Sequence, residues 1–331
     1  MPKHKTVKAF NIDFNWDYLG RPASPGLYAH ADPKEHIRFY KDLGANTIQT
    51  FCVTYNGYAW YPSEVAPVTP GLKRNFLGEI TELGHQEGMP VLGYFCMGSN
   101  PRWERKNPAL AHVEVAHRNT FKIPFTLEYL NFFCRSIKDA LRKTDIDGFM
   151  IDWFRPPMKQ VWLDCEKKMY QELMGRPFPP QGEPDADELT EYNRRAMERA
   201  WIHVKEATDS IRQVIIWTNH PFEKADDPLW TGHRLLKEVD WVLNEAPDIT
   251  FLDWLKKQVG SHAKIIQNLC GWMDHDASLW KKIDTAQFGL FGFAQADPGT
   301  TLVSLSGSDA SASNARNTEI LREAYHARIT C

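Results

Sequence analysis

Gly148-Phe-Met-Ile-Asp152-Trp-Phe-Arg155-Pro-Pro157 is the stretch on which the reading of this chain turns. Gly148 to Ile151 form a short apolar run of the kind that fills a buried parallel strand. The run ends on a carboxylate, and Pro156 and Pro157 stop the strand from continuing. Asp152 is therefore expected at the carboxyl end of a central strand, where α/β folds carry their chemistry. A charge placed between an apolar strand and two aromatic residues loses hydration, so it needs a function or a partner such as Arg155. Asp145 and Asp147 precede the run and belong at the opposite, stability-bearing end.

Similar runs recur along the 331 residues. Strands are expected at 7–14, 47–54, 90–96, 148–153, 214–219, 241–245, 264–269 and 288–294, each short, β-branched or aromatic and bounded by turn residues. Amphipathic stretches separate them. Asp32-Pro33 opens the first helix with a cap and a proline in its first turn, and Gly44 ends it. Further helices are expected at 73–87, 127–143, 188–211, 232–238, 251–259, 278–283 and 314–328. Eight strand–helix units in one domain, residues 1–331, predict an α/β fold of the (β/α)8 TIM-barrel type. A doubly wound open sheet is the runner-up, and no Gly-x-Gly-x-x-Gly or phosphate loop follows any strand. The longest insertions, 98–125 and 156–187, follow strands 3 and 4; the second is expected to hold a short helix at 161–174. Both leave from carboxyl ends and are expected to roof the site.

Composition narrows the partners. Lysine and arginine number 39 against 42 acidic residues, a net charge of -3 with no basic stripe, so neither nucleic acid nor a membrane surface is an expected partner. No apolar run approaches the roughly 20 residues that span a bilayer. The charged start, Met1-Pro-Lys-His-Lys5, lacks an apolar signal region, so a cytoplasmic location is expected. The six cysteines show neither a CxxC pair nor zinc spacing and read as reduced thiols. Twelve tryptophans suit either a large core or a sugar-binding cleft, where aromatic faces stack on C–H groups. Formation of a homo-oligomer stays open.

Strand ends of this barrel would bring one set of side chains to a common mouth. The first strand supplies Asp13, Asn15 and Trp16, and the loop after the second supplies Tyr55 and Asn56. Tyr94, Cys96 and Asn100 come from the third, Asp152, Trp153 and Arg155 from the fourth. The fifth gives Trp217, Asn219 and His220, and the sixth gives Asn244 and Glu245. Gln267, Asn268, Trp272, Asp274 and His275 follow from the seventh, Gln295 and Asp297 from the eighth. Amides and aromatics without a strand-end lysine or a Gly-x-Ser-x-Gly elbow suit a neutral, hydroxyl-rich ligand. Two carboxylates flanking one bond are the minimum equipment for glycoside hydrolysis. Asp152, short and fixed, fits the nucleophile; Glu245, longer and in an apolar setting, fits the acid/base, with Asp13, Asp248, Asp274 and Asp297 as rivals. Arg155, Asn219 and His220 are expected to position hydroxyls or to lower the Asp152 pKa. Trp16, Trp153 and Trp272 are candidate sugar platforms.

The chain resembles uncharacterised barrels called hypothetical glycosyl hydrolases, which are distantly similar to the α-L-fucosidase clan. The resemblance lies in Asp32-Pro-Lys-Glu-His-Ile-Arg-Phe-Tyr-Lys-Asp-Leu-Gly-Ala-Asn46, in Tyr55-Asn-Gly-Tyr-Ala-Trp-Tyr-Pro-Ser63, in Gly88-Met-Pro-Val-Leu-Gly-Tyr-Phe95 and in Gly148-Phe-Met-Ile-Asp152-Trp153. It implies Asp152 as nucleophile, with Tyr55, Asn56, Tyr58 and Trp60 near the sugar. Tyr55-Asn56 stand where fucosidases typically carry paired histidines.

The expectation is thus a retaining glycosidase that acts on a carbohydrate without cofactor or metal. Two alternatives use the same barrel. One is a metal-dependent sugar isomerase, epimerase or aldolase, with Asp152, His220 and Glu245 converging on an ion. The other is a non-catalytic carbohydrate-binding barrel.

Overall fold

The computed structural model describes residues 6–17, 21–112, 123–157, 160–220, 222–269, 276–303 and 309–327, with backbone alone for 309–315 and 317. Eight parallel strands close into a barrel in sequence order. They are β1 (Lys8–Asp13), β2 (Thr47–Phe51), β3 (Val91–Cys96), β4 (Gly148–Asp152), β5 (Ile215–His220), β6 (Trp241–Asn244), β7 (Lys264–Asn268) and β8 (Gly289–Gln295). All eight lie within a few residues of their expected places. The expected (β/α)8 architecture is the one observed.

Around the barrel run α1 (Pro33–Leu43), α2 (Phe76–Gln86), α3 (Pro101–Lys106), α4 (Leu127–Lys143), α5 (Asp164–Met174), α6 (Ala186–Asp209), α7 (Arg234–Glu238), α8 (Phe251–Gln258) and α9 (Asp309–His326). Helix α1 forms as its residues dictate. The Asp32 side chain accepts from the Lys34 amide, and Gly44 closes the helix at φ 82°, where a side chain would be strained. Helix α5 starts three residues later than expected because Trp162 sits at φ 60°, outside helical geometry. The expected segment 278–283 forms a single 3₁₀ turn, Leu279–Lys282. Helix α3 was not anticipated, although its signal is legible. Asn100 caps the Trp103 amide at 3.0 Å, and Glu104 reaches back to the Asn100 amide at 3.0 Å, a reciprocal pair of caps around Pro101.

Strand register fixes which side chains face the lumen, because successive residues alternate between faces. Phe10 faces outward and packs on Phe39 and Tyr40 of α1. Its neighbours Ala9, Asn11 and Asp13 therefore face inward, and Asn11 hydrogen-bonds Gln49 across the β1–β2 pair. Carried round the ladder, the inward set includes Tyr94, Cys96, Met150, Asp152, Trp217, Asn219, Asn268, Phe291 and Gln295. Trp217 and Phe291 meet edge-on inside the barrel, 5.2 Å between centroids, and fill it below the mouth. Phe10 is wholly buried, and its truncation to alanine would cost about 3–5 kcal/mol. Gly148 opens β4 because a Cβ there would lie 2.0 Å from the Ile215 carbonyl oxygen of β5. A second apolar cluster, Trp162, Met169, Tyr170, Tyr192 and Ala196, joins α5 to α6. No helix among the described residues is long and apolar enough to cross a membrane.

Candidate active site

Three carboxylates come together at the carboxyl end of the barrel: Asp13 from β1, Asp152 from β4 and Glu245 just beyond β6. Strand alternation turns all three inward. β5–β6 pairing continues one step past the strand, the Glu245 amide donating to the His220 carbonyl at 3.1 Å, and this holds Glu245 in register.

Asp152 is gripped on several sides. The Tyr94 hydroxyl donates to its Oδ2 at 2.6 Å, and the Trp153 amide donates to its Oδ1 at 2.8 Å. Asn219 also hydrogen-bonds it. The same Asn219 donates through Nδ2 to Glu245 Oε2 at 3.2 Å. One side-chain amide thus ties the two carboxylates together. Trp153, directly after Asp152, adopts φ 53°, a left-handed conformation unusual for a bulky residue. Such strain costs on the order of 1–3 kcal/mol and persists where the surroundings impose it.

Burial sets the electrostatics. Glu245 is pushed up to about 8 by burial first and by the Asp152 charge second, with the Asn219 hydrogen bond opposing. Asp13 is raised to about 7 by burial, against the Asn15 amide that donates to its Oδ1 at 2.7 Å, and further by Asp152. Asp152 is also raised by burial, but Tyr94, Asn219 and the Trp153 amide all favour its ionised form. The result is a division of labour between a carboxylate supplied with donors and a carboxyl that tends to keep its proton at neutral pH.

An aromatic wall stands beside them. Trp16 stacks on Tyr55 at 5.2 Å, and Tyr55 meets Trp153 edge-on at 5.4 Å. Trp16 and Trp153 remain partly exposed, so their faces are accessible from the mouth. Asn15 Oδ1 accepts the Tyr55 amide at 2.7 Å and fixes the loop after β2 to that after β1.

Other expected site residues lie elsewhere. His220 and Asn244 face the helix layer, not the lumen. Two consecutive polar residues at a strand end cannot both point inward, and Asn219 and Glu245 occupy the inward places. His220 packs 4.0 Å from Trp230 and against Phe222, and burial holds its imidazole neutral, well below its usual pKa. Asn244 spends its amide on the Asp248 carbonyl and on Gln267. Trp60 sits behind β1, 4.5 Å from Phe14 and 5.5 Å from Phe76 of α2, as part of the outer packing. Tyr58 takes a hydrogen bond from Arg102, and Asn56 bonds Thr54 and the Ala23 carbonyl, so both brace the loops. Glu223 and Asp227 act on the Arg155 charge, and Arg155 is not among the groups that shift Asp152. Asn100 is the α3 cap. Trp272, Asp274 and His275 lie outside the described residues.

Among the described residues no group of three or more His, Cys, Asp and Glu side chains is arranged to hold a metal ion. Asp152, His220 and Glu245 do not converge, since His220 stands on the far side of β5. Cys52, Cys96, Cys134 and Cys165 are unpaired thiols, and Cys270 and Cys331 lie outside the described residues. Strain at Trp153 and the double use of Asn219 had no sequence signal; both arise from the barrel's closure.

Residues 32–153 match the profile of the family described as hypothetical glycosyl hydrolase 6. The match covers a little over a third of the chain and includes Asp152 but neither Asp13 nor Glu245. No curated protein matches the chain. Among solved structures, α-L-fucosidase isoenzyme 2 of Paenibacillus thiaminolyticus is 16% identical with a TM-score of 0.65. That likeness covers 97% of this chain and 49% of the fucosidase, so the chain spans about half of that protein's length. The PgaB (BpsB) glycoside hydrolase domain of Bordetella bronchiseptica is 13% identical with a TM-score of 0.59, over 99% of this chain and 100% of that one. A noncanonic maltogenic α-amylase of Thermotoga neapolitana is 11% identical with a TM-score of 0.51, over 97% and 77%. At these identities the likeness establishes the barrel fold.

Proposed function

We propose that this protein is a retaining glycoside hydrolase of the cytoplasm. Asp152 attacks the anomeric carbon, and Glu245 protonates the leaving oxygen and then activates water. The observation that carries the reading is the carboxylate pair bridged by Asn219. The retaining part of the reading requires the two carboxyl groups to stand about 5–5.5 Å apart, where an inverting enzyme would hold them roughly 6.5–9.5 Å apart.

The chemistry follows from the two environments. Tyr94, Asn219 and the Trp153 amide orient Asp152 and favour its anion, the form a nucleophile needs. Glu245, raised to about 8, carries the proton that the leaving group requires. Once the glycosyl–Asp152 ester forms, the charge on Asp152 is gone, the acidity of Glu245 increases, and it can act as base toward water. Trp16, Tyr55 and Trp153 would stack on the sugar. The family profile and the barrel neighbours support a glycosidase; the fucosidase resemblance raises fucose as one candidate glycone.

The test is hydrolysis of nitrophenyl α- and β-glycosides, with fucosides, galactosides, glucosides, xylosides and arabinosides, by wild type and Asp152→Asn. Wild type is expected to release nitrophenol from at least one, and the variant to lose roughly 10⁴-fold or more of that rate. Full activity in Asp152→Asn would remove Asp152 from the mechanism. NMR of the first-formed anomer reads retention directly.

A further inference from the structure

We infer that Asn219 is a positioning residue that holds the Glu245 proton on Oε1, the oxygen open to the mouth, by reserving Oε2 as an acceptor. The inference rests on the glycosidase reading and deepens it. It names the atom that protonates the leaving oxygen and the side chain that keeps the proton there.

Asn219 Nδ2 donates to Glu245 Oε2 at 3.2 Å. The two side chains reach each other because their strands pair, the Glu245 amide donating to the carbonyl of His220, next to Asn219. A carboxyl proton on Oε2 would meet an N–H hydrogen, donor against donor, so the protonated form carries its O–H on the other oxygen. Glu245 Oε1 takes no hydrogen bond among the described residues and, unlike Asn219 Oδ1, is not fully enclosed. Glu245 itself is half-buried, so that oxygen opens on the mouth.

The neighbouring nucleophile fixes which end of the amide faces the acids. Asn219 also hydrogen-bonds Asp152 and favours its anion, which only the N–H end of an amide can do. Its Oδ1 is buried without a partner among the described residues, on a side chain 5% exposed. Turning the amide over would bring that carbonyl oxygen against the Asp152 charge.

The placement serves both halves of the reaction. As the glycosidic C–O bond breaks, its electron pair passes to the leaving oxygen, which takes the proton from Oε1. The Oε1–H electron pair stays on Glu245 as a carboxylate, and the Asn219 bond to Oε2 becomes charge-assisted and stronger. Asn219 thus favours the ionised Glu245 and helps most once the proton has left. Water then attacks the anomeric carbon, the ester bond to Asp152 breaks with its electron pair on Asp152, and the water proton returns to Oε1.

Infrared spectra read the position of the proton without turnover. The Glu245 carboxyl band is isolated as wild type minus Glu245→Gln at about pH 6, where the acid is protonated. With the proton on Oε1, Oε2 is the C=O oxygen, and its hydrogen bond holds the stretch below that of an unbonded carboxylic acid. In Asn219→Leu, similar in size but without a donor, the stretch is expected to rise in frequency. The alkaline limb of kcat/KM is expected to move up by about one pH unit in the same variant. A stretch or a limb that does not move, or carboxylate bands alone at that pH, overturns the inference. Asn219→Ala gives the same readout if Asn219→Leu fails to fold, and the wild-type band position decides the matter without either. An active wild type with an unmoved stretch leaves the glycosidase reading standing. A raised stretch in a protein that hydrolyses no glycoside overturns that reading and leaves the proton on Oε1.

Discussion

Carboxylates stand at both ends of this barrel, and the two ends treat them differently. At the amino end, Asp147 accepts from His85 at 2.8 Å and from the Val91 amide at 2.7 Å, while Asp240 accepts the Ile216 amide at 2.8 Å. Each ties the start of a neighbouring strand and has its own donors. At the carboxyl end, Asp13, Asp152 and Glu245 face one another across the lumen, and Asp152 and Glu245 share Asn219. The same functional group is a strand clasp in one place and a destabilising charge in the other. Crowded acids that a protein keeps despite their cost are where chemistry is to be sought.

The sharpest way to break this contrast is to neutralise one acid at each end. Glu245→Gln is expected to lower kcat/KM by about 10²–10⁴-fold toward a substrate with a poor leaving group, and by far less toward an activated nitrophenyl glycoside. Equal loss on both substrates would deny Glu245 the role of proton donor. Asp147→Asn is expected to leave kcat/KM within a factor of about two, and to cost about 1–2 kcal/mol in chemical denaturation through its weakened hydrogen bonds.

The pH profile sharpens the same point. Glu245 donates only while protonated, so kcat/KM is expected to hold to near pH 8 and then fall about tenfold per pH unit. Asp152 must be ionised, and burial raises it, so the acidic limb should lie above the ordinary carboxylate range. In Glu245→Gln the alkaline limb should disappear. An unchanged alkaline limb in that variant would assign it to another group, with Asp13 first in line.

Stability gives the smallest effect. Between pH 4.5 and about 8 the folded protein keeps a proton on Glu245 that the unfolded chain has released. Its contribution to stability is therefore full below the unfolded pKa and declines as pH rises through the folded one. Glu245→Gln should match wild type in melting temperature near pH 4.5 and exceed it by roughly 2–4 °C near pH 9. A lower melting temperature at pH 9 would mean that the Asn219–Glu245 bond outweighs the desolvation and repulsion.

Helix α3 and the pair Asn219-His220 show where sequence reading succeeds and where it stops. Local signals sufficed for the eight strands, for the Asp32 and Gly44 ends of α1, and in principle for the reciprocal Asn100–Glu104 cap, because each depends on neighbours a few residues away. The sequence also put Asp152 at a strand end, since an apolar run closed by an acid and two prolines leaves it no other place. Whether Asn219 or His220 faces the sugar depends on the parity of β5, which a shift of one residue reverses. The burial of Trp60 against Phe14 and Phe76, the charges of Glu223 and Asp227 on Arg155, and the meeting of Asp13 with Asp152 join residues remote in the chain. Periodicity decided the barrel because each strand buries its own run; closure decided the site, since it sets which strand ends share the lumen and how little water their charges keep.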